Sequence, residues 1–497
     1  MASSSSTAAP QVYGADEVNA VVLDPGSFST SVGYAGYDCP SMVFPSHYGE
    51  VVDGKGEKKR LFNDSFLHTS RENMKIKPIL KNNIIIDWDG AVDQYNYMFK
   101  QMGVNPEDQP LMLTESTMNS YKNKEKALEV FLEQENYCAF YAVKQPTCVA
   151  FAHGKATCLV VDIGHDLITV TPVVDGFCLR NQVIGTNYAG AFLDQQLKQF
   201  LEDKNIDIVP QYRVKSKNTM YWENKESKPQ FETKHYDYKI DNSVDEFSKL
   251  RVFQEMKETV LSCSLDDQAE KVPDADKDKM DVDYDEQRYF ELPNGLNVPF
   301  TDAEANKIAN SLFRPSDVLG NGIVKGWEEP HIGNIIETIG TADDKSSKLY
   351  VPLRRTKRPE EEEKEKDKDS NVDAKASNGA DGSGKVKSEP CGLTKLVQTV
   401  LERIDIDWKP QLANNIIVTG STSLIPELNK RLYEELSILN PSMKIRIQSV
   451  GNTVERKYST WIGGSILASL GTFHQLWVSQ AEYKEIGADR LIVNRFR

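Results

Sequence analysis

Two distant stretches of the chain follow one plan, and that repetition restricts the fold more than any other feature. Residues 20 to 36, AVVLDPGSFSTSVGYAG, read as an apolar strand, a turn at Asp24 and Gly26, and a returning β-branched strand. Residues 159 to 176, LVVDIGHDLITVTPVVDG, repeat it with Asp162 and Gly164. Alternating strand and helix patterns follow each copy, which implies two duplicated α/β units with a cleft between them. Glycine lets backbone N–H groups approach a ligand closely, and the carboxylate can hold waters of a hydrated Mg²⁺. A single Asp-x-Gly hairpin is usually only a turn. Two of them, heading two similar lobes, are a candidate polyphosphate clamp, although His165 and Asp166 stand where small polar residues would suit a phosphate better.

A chain of 497 residues with 39% hydrophobic side chains can bury the cores of two to four units. No run approaches the ~18 apolar residues of a membrane span, and MASSSSTAAPQ lacks the features of a signal peptide, so cytosol or nucleus is expected. The 7 cysteines show no CxxC pair or zinc spacing and are expected as reduced, mostly buried thiols. A net charge of −15 argues against nonspecific DNA binding and favours basic protein partners. Residues 268 to 286 and 359 to 390 are too charged and too poor in apolar groups to offset ordering entropy, and are expected as solvated insertions. RRTKR, at 354 to 358, fits a nuclear import signal or an ordinary solvated loop.

After a disordered tail at 1 to 17, residues 18 to 45 alternate as a β-meander, and a charged loop follows at about 46 to 79. IIIDWDGAVDQYNYMFKQM predicts a helix capped by Asp87 or Asp89, and QPLMLTES a buried strand. Residues 189 to about 287 read as a helical insertion, in which DEFSKLRVFQEMKETVLSCSL sets Lys257 and Glu258 over the cleft or simply in solvent. In ANNIIVTGSTSLIPELNKRLYEEL a strand leads through Gly420 and Ser421 into a helix; that small-residue turn can carry a purine face, or be a plain αβ turn. Lys457 in ERKYSTWIGGSI is equally open to either reading.

These segments, with LMLTES, ELPNG, LFRPS and above all ERKYSTWIGGSILASLGTFHQLWVSQAEYKEIG, resemble the actin family in order along most of the chain. The acidic insertions, VVDIGHD and VVDG resemble its nuclear, actin-related branch. The resemblance implies the α/β actin/Hsp70/hexokinase-like two-lobed fold of duplicated ribonuclease H-like domains. The first lobe would span 18–152, with a small subdomain at 46–79, and be completed by 459–497. The second would span 153–458, with a helical subdomain at 189–287 and a largely disordered charged insertion at 322–391. ATP with Mg²⁺, or Ca²⁺ in vitro, would lie in the cleft. Asp24 and Asp162 would organise the cation through water, Gly26, Ser27 and Gly164 the phosphates, and Lys257, Glu258, Gly420, Ser421 and Lys457 the adenosine. Gln145 falls where the family orients the attacking water; its plain alternative is a helix-surface amide.

Departures from the family pattern are Ser31 for Lys, Phe28 for Gly, His165 and Asp166 for Asp and Gly, Thr169 for His, and Ile425 at the tip of the adenine platform. Hydrolysis is therefore expected to be very slow, with Gln145 and His165 the residual catalytic candidates. The resemblance also assigns Phe151, Leu467, Leu470, Thr472 and Leu476 to a partner cleft, although helical spacing allows Leu467 and Leu470 to face the core. It implies a nuclear, nonfilamentous scaffold of chromatin-remodelling and histone-acetyltransferase complexes. Its partners would be nuclear actin and a helicase-SANT-associated helix, with histones or nucleosomes beyond them, and no membrane. An active ATPase with assembly-coupled hydrolysis is the alternative; a sugar kinase on the same fold fits less well, because the C-terminal match is to protein-binding segments.

Overall fold

A computed structural model describes residues 20–52, 56–217, 230–265, 288–319, 336–337, 390–449 and 452–496. The expected tail at 1–17, the acidic stretch 268–286, the basic run 354–358 and nearly all of 322–391 lie outside the described residues.

Each repeated hairpin forms the heart of its own sheet. In the first lobe, strands Val21–Pro25 and Ser29–Tyr34 pair antiparallel, Met42–Pro45 adds to the second of them, and Leu111–Glu115 and Ala139–Lys144 extend the sheet in parallel from the first. In the second lobe, Cys158–Ile163 and Ile168–Val174 form the hairpin, Ile184–Thr186 takes the third place, and Ile416–Thr419 and Ile447–Gln448 are the parallel additions. The two sheets thus share one strand plan. Leu111–Glu115 and Ile416–Thr419 are buried at every position, as expected of parallel strands covered on both faces.

Two large apolar cores result. One packs Leu23, Tyr95, Phe131 and Phe140, and the other Val161, Leu193, Leu396, Val397 and Leu432. Each fully buried side chain of this size contributes about 1.5–3 kcal/mol of transfer free energy. Between the lobes, helices Gln145–Ala152 and Ser459–Ser469 cross at a point where only hydrogen fits: a Cβ on Gly463 would lie 1.8 Å from the Cys148 carbonyl oxygen. The buried Trp461 indole donates to the Val22 carbonyl at 3.1 Å, tying this crossing to the first hairpin.

The charged stretch 46–79 is not simply a loop. Strands His47–Val52, Lys58–Leu61 and Met74–Pro78 form a small sheet. Its apolar residues Leu61, Leu67, Met74 and Ile76 pack on Tyr212 and Val244 of the insertion. Its charges decorate the exposed face and mask the short apolar alternation beneath. The insertion supplies helices Gly190–Asp203 and Asn242–Thr259, but also a two-stranded ribbon, Val214–Lys217 with Phe231–Thr233. The helix expected through residue 265 ends at Thr259, and Val260, Leu261 and Cys263 enter the core as irregular chain. Helix Trp88–Met102 is capped by Asp87, which accepts from the Gly90 N–H. No helix among the described residues is long and apolar enough to cross a membrane.

Candidate functional site

The two hairpins match position by position. Asp24 sits opposite Ser31, and Asp162 opposite Thr169. The tips close alike, with Gly26 N–H donating to the Ser29 carbonyl at 3.1 Å and Gly164 N–H to the Leu167 carbonyl at 2.9 Å. The unusual tip residues meet each other: Phe28 and His165 lie edge to face with ring centroids 5.2 Å apart.

A third element joins the tips. Strands Leu80–Lys81 and Ile84–Ile85 are linked by Asn82 and Asn83, both left-handed at φ 53° and 56°, the conformation of a two-residue hairpin turn that asparagine tolerates. Ser27 N–H donates to Asn83 Oδ1 at 3.1 Å, and the Ser27 hydroxyl accepts from Asn83 N–H at 2.8 Å. Asn82 N–H donates to Asp166 Oδ2 at 2.9 Å, while Asn187 Nδ2 donates to Asn82 Oδ1 at 3.0 Å. Asp166 therefore fastens the second hairpin to the turn that also holds the first.

Both hairpin carboxylates are partly buried. Asp24 accepts from the Thr114 hydroxyl and, at 3.5 Å, from Gln145 Nε2; burial outweighs these bonds and pushes its pKa up to about 6. Burial, and then the nearby Asp24, pushes Asp162 up to about 7. Two carboxyls resisting ionisation beside each other are what a divalent cation would relieve. Two carboxylates are fewer oxygens than a directly held divalent cation takes, so they fit a cation that keeps most of its waters. Gln145, Asp162, Thr169 and Asn83 also line a void of about 10 Å³, room for roughly one water. The amide of Gln145 can orient such a water but cannot accept its proton at neutral pH.

Above the hairpins lies a cavity of about 490 Å³, within the range of small-molecule sites. Lys257, Glu258, Ser421 and Lys457 line it together with Phe28 and His165. Ile425 belongs to the same wall. Asp24, Gly26, Ser27, Asp162, Gly164 and Gly420 do not line it; Asp162 lines the water-sized void, and Gly420 abuts Asp162. Gly420 has φ 90°, and a Cβ there would come within 2.3 Å of the Ile163 carbonyl oxygen and 2.6 Å of Asp162 Oδ1. A side chain at that position would collide with the Asp162 carboxylate.

The sequence reading missed Asp194, Gln254, Thr453, Val454 and Tyr458. Asp194 is the most consequential. It is buried and pairs with Lys257 Nζ at 2.7 Å, while Lys257 also donates to the Gly190 carbonyl at 3.2 Å. Lys257 is thereby committed to the wall of the cavity. His165 places Nδ1 3.8 Å from Asp194 Oδ2 and Nε2 3.8 Å from Asp166 Oδ1. Burial, and then Lys257, lowers its pKa to about 4, so the ring is neutral at physiological pH.

The residues assigned to a partner cleft divide. Phe151, Leu470 and Leu476 are 38%, 40% and 41% exposed, and Thr472 is exposed. Leu467, at 5%, is a core residue packed with Trp461 and Phe473. Its neighbour Ile466 is the exposed one, one helical turn before Leu470, so the i, i+4 pair on the open face is Ile466 and Leu470.

The actin family profile matches residues 15–497. Curated relatives named Actin-related protein 4 align over nearly their full length. That of Candida albicans is 38% identical, covering 100% of both chains; that of Saccharomyces cerevisiae is 37% identical, covering 99% of this chain and 100% of its own. The Schizosaccharomyces pombe relative is 35% identical over 96% of this chain and 97% of its own.

Proposed function

This chain belongs to the actin family, and from that premise we propose that it is a nonfilamentous scaffold which binds ATP with Mg²⁺, or Ca²⁺ in vitro, as a mainly structural ligand. In this reading it works in the nucleus beside actin, docks a helicase-SANT-associated helix of chromatin-remodelling or histone-acetyltransferase assemblies, and contacts histones or nucleosomes without binding DNA by itself. One observation carries the nucleotide part: two equivalent Asp hairpins underlie a cavity of about 490 Å³ walled by Lys257, Glu258, Ser421 and Lys457. The family's fold binds ATP and divalent cations generally, and the paired, partly buried carboxyls of Asp24 and Asp162 suit such a cation.

Holding rather than cutting is supported by the water-sized void. It has Gln145 to orient a water, yet Thr169 offers no base, and Asp162 would be engaged by the cation. The second reading, an active ATPase, rests on Gln145 beside Asp24 and on His165 as proton acceptor. His165 lines the large cavity and not the void, which disfavours it. Single-turnover measurement separates the readings. The scaffold reading expects ATP to survive for hours in wild type and His165→Ala alike; turnover at filament-actin rates, abolished in His165→Ala, establishes the ATPase. Loss of ATP-dependent thermal stabilisation in Asp24→Ala tests the clamp, and unchanged stabilisation removes it.

A further inference from the structure

The sheet of the second lobe ends at Ile447–Gln448, whose one strand neighbour among the described residues is Ile416–Thr419. Ile416 N–H donates to the Arg446 carbonyl at 3.1 Å, and Arg446 N–H to the Ala413 carbonyl at 3.1 Å, so the backbone groups of Arg446 face inward. Strand alternation then turns the N–H and C=O of Ile447 outward, where the internal ladder does not use them. This is an open edge of the kind that accepts another strand.

The edge borders a groove of about 370 Å³ lined by Asn429, Lys430 and Tyr433 of helix Leu428–Leu439 and by Lys444, Arg446 and Ile447. Tyr433 is half exposed. Lys430 has Glu427 at 3.6 Å, but Lys444 and Arg446 are exposed and have no carboxylate partner among the described residues. They stand two positions apart, hence on one face of the extended chain. On a protein of net charge −15, two uncompensated cations beside an unpaired strand edge define what fits there.

We propose that this edge docks an extended acidic segment of a partner protein, which adds a strand along Ile447, sets carboxylates against Lys444 and Arg446, and lays an apolar side chain on Tyr433. Backbone pairing supplies the generic affinity, and the charge and apolar positions, alternating with period two, supply the selectivity. An apolar helix would leave both the cations and the outward N–H without partners. A nucleic acid would use the cations and leave the edge unpaired.

The test uses the full chain and a fluorescein-labelled seven-residue peptide alternating Asp or Glu with Val or Ile, followed by anisotropy. The acidic peptide is expected to bind at least tenfold more tightly than its counterpart with Lys for each acid. Lys444→Glu combined with Arg446→Glu should weaken binding at least tenfold. A peptide N-methylated on alternate residues keeps its charge but cannot pair with the edge, and should also lose at least tenfold. Equal binding of the methylated peptide, indifference to the charge reversal, or tighter binding of a 20-base-pair DNA duplex through the same cations would each overturn the proposal.

Discussion

Replacing Asp162 by Asn should stabilise the cation-free protein at alkaline pH while removing its response to ligand. The Asp162 carboxyl rises from 3.8 to about 7 because folding buries it beside Asp24. A raised acid favours its protonated form in the folded state. Its contribution to stability is therefore complete below pH ~4 and is lost as pH rises through about 7. At 1.36 kcal/mol per pKa unit, keeping it ionised at pH 8 costs about 4 kcal/mol. An asparagine side chain there would resemble the protonated acid and not titrate. In chelator, Asp162→Asn is thus expected to match wild type near pH 4 and to exceed it by about 4 kcal/mol at pH 8, or roughly 8–16 °C in a melting scan at the usual slope for a lobe of this size. Mg²⁺ and ATP should narrow the gap: at about 100 times its dissociation constant the ligand adds about 2.7 kcal/mol to wild type and little to the variant, leaving about 1 kcal/mol between them. If Asp162→Asn is less stable than wild type at pH 8 in chelator, or if the difference does not change with pH, the burial argument is refuted.

Gly463→Ala should destabilise the protein by about 3 kcal/mol or more in urea unfolding, because its Cβ would sit 1.8 Å from the Cys148 carbonyl oxygen and force the crossing helices apart. Leu470→Asp should abolish capture of the partner helix in a pull-down and leave melting unchanged, whereas Leu467→Asp, in the core, should lower stability by more than about 3 kcal/mol; equal melting of the two variants contradicts the assignment of Leu467 to the core.

The hairpins were legible in the sequence because everything that defines them is local: period-two apolar residues, an Asp and a Gly two positions on. Asp87 as a helix cap was readable for the same reason, since its bond reaches only to Gly90. Asn82 and Asn83 carried a local signal too, as consecutive asparagines between apolar runs suggest a tight turn, but the charged surroundings hid it. What they join could not be read, because Asn83 meets Ser27 across 56 positions and Asn82 meets Asp166 across 84. Nothing local in the sequence marks Asp194 for burial, and only the arrival of Lys257 from another helix makes its burial tolerable. The division between Leu467 and Ile466 was hidden for a different reason: the helix is apolar nearly all round, so spacing alone does not choose its inner face.

The path of the chain also sets the order in which the protein can be born. Strand Val478–Ser479 completes the first sheet beside Ala139–Phe140, and Lys124 holds the Phe496 carbonyl at 3.2 Å across 372 positions. At about 5–20 residues per second, roughly 20–75 s of translation separate those two ends of one lobe. During that interval the second lobe, whose strands all lie between them, can close its own sheet, while the first waits on the ribosome with an unpaired edge. The lobe made first is finished last, and a chaperone would find its substrate there.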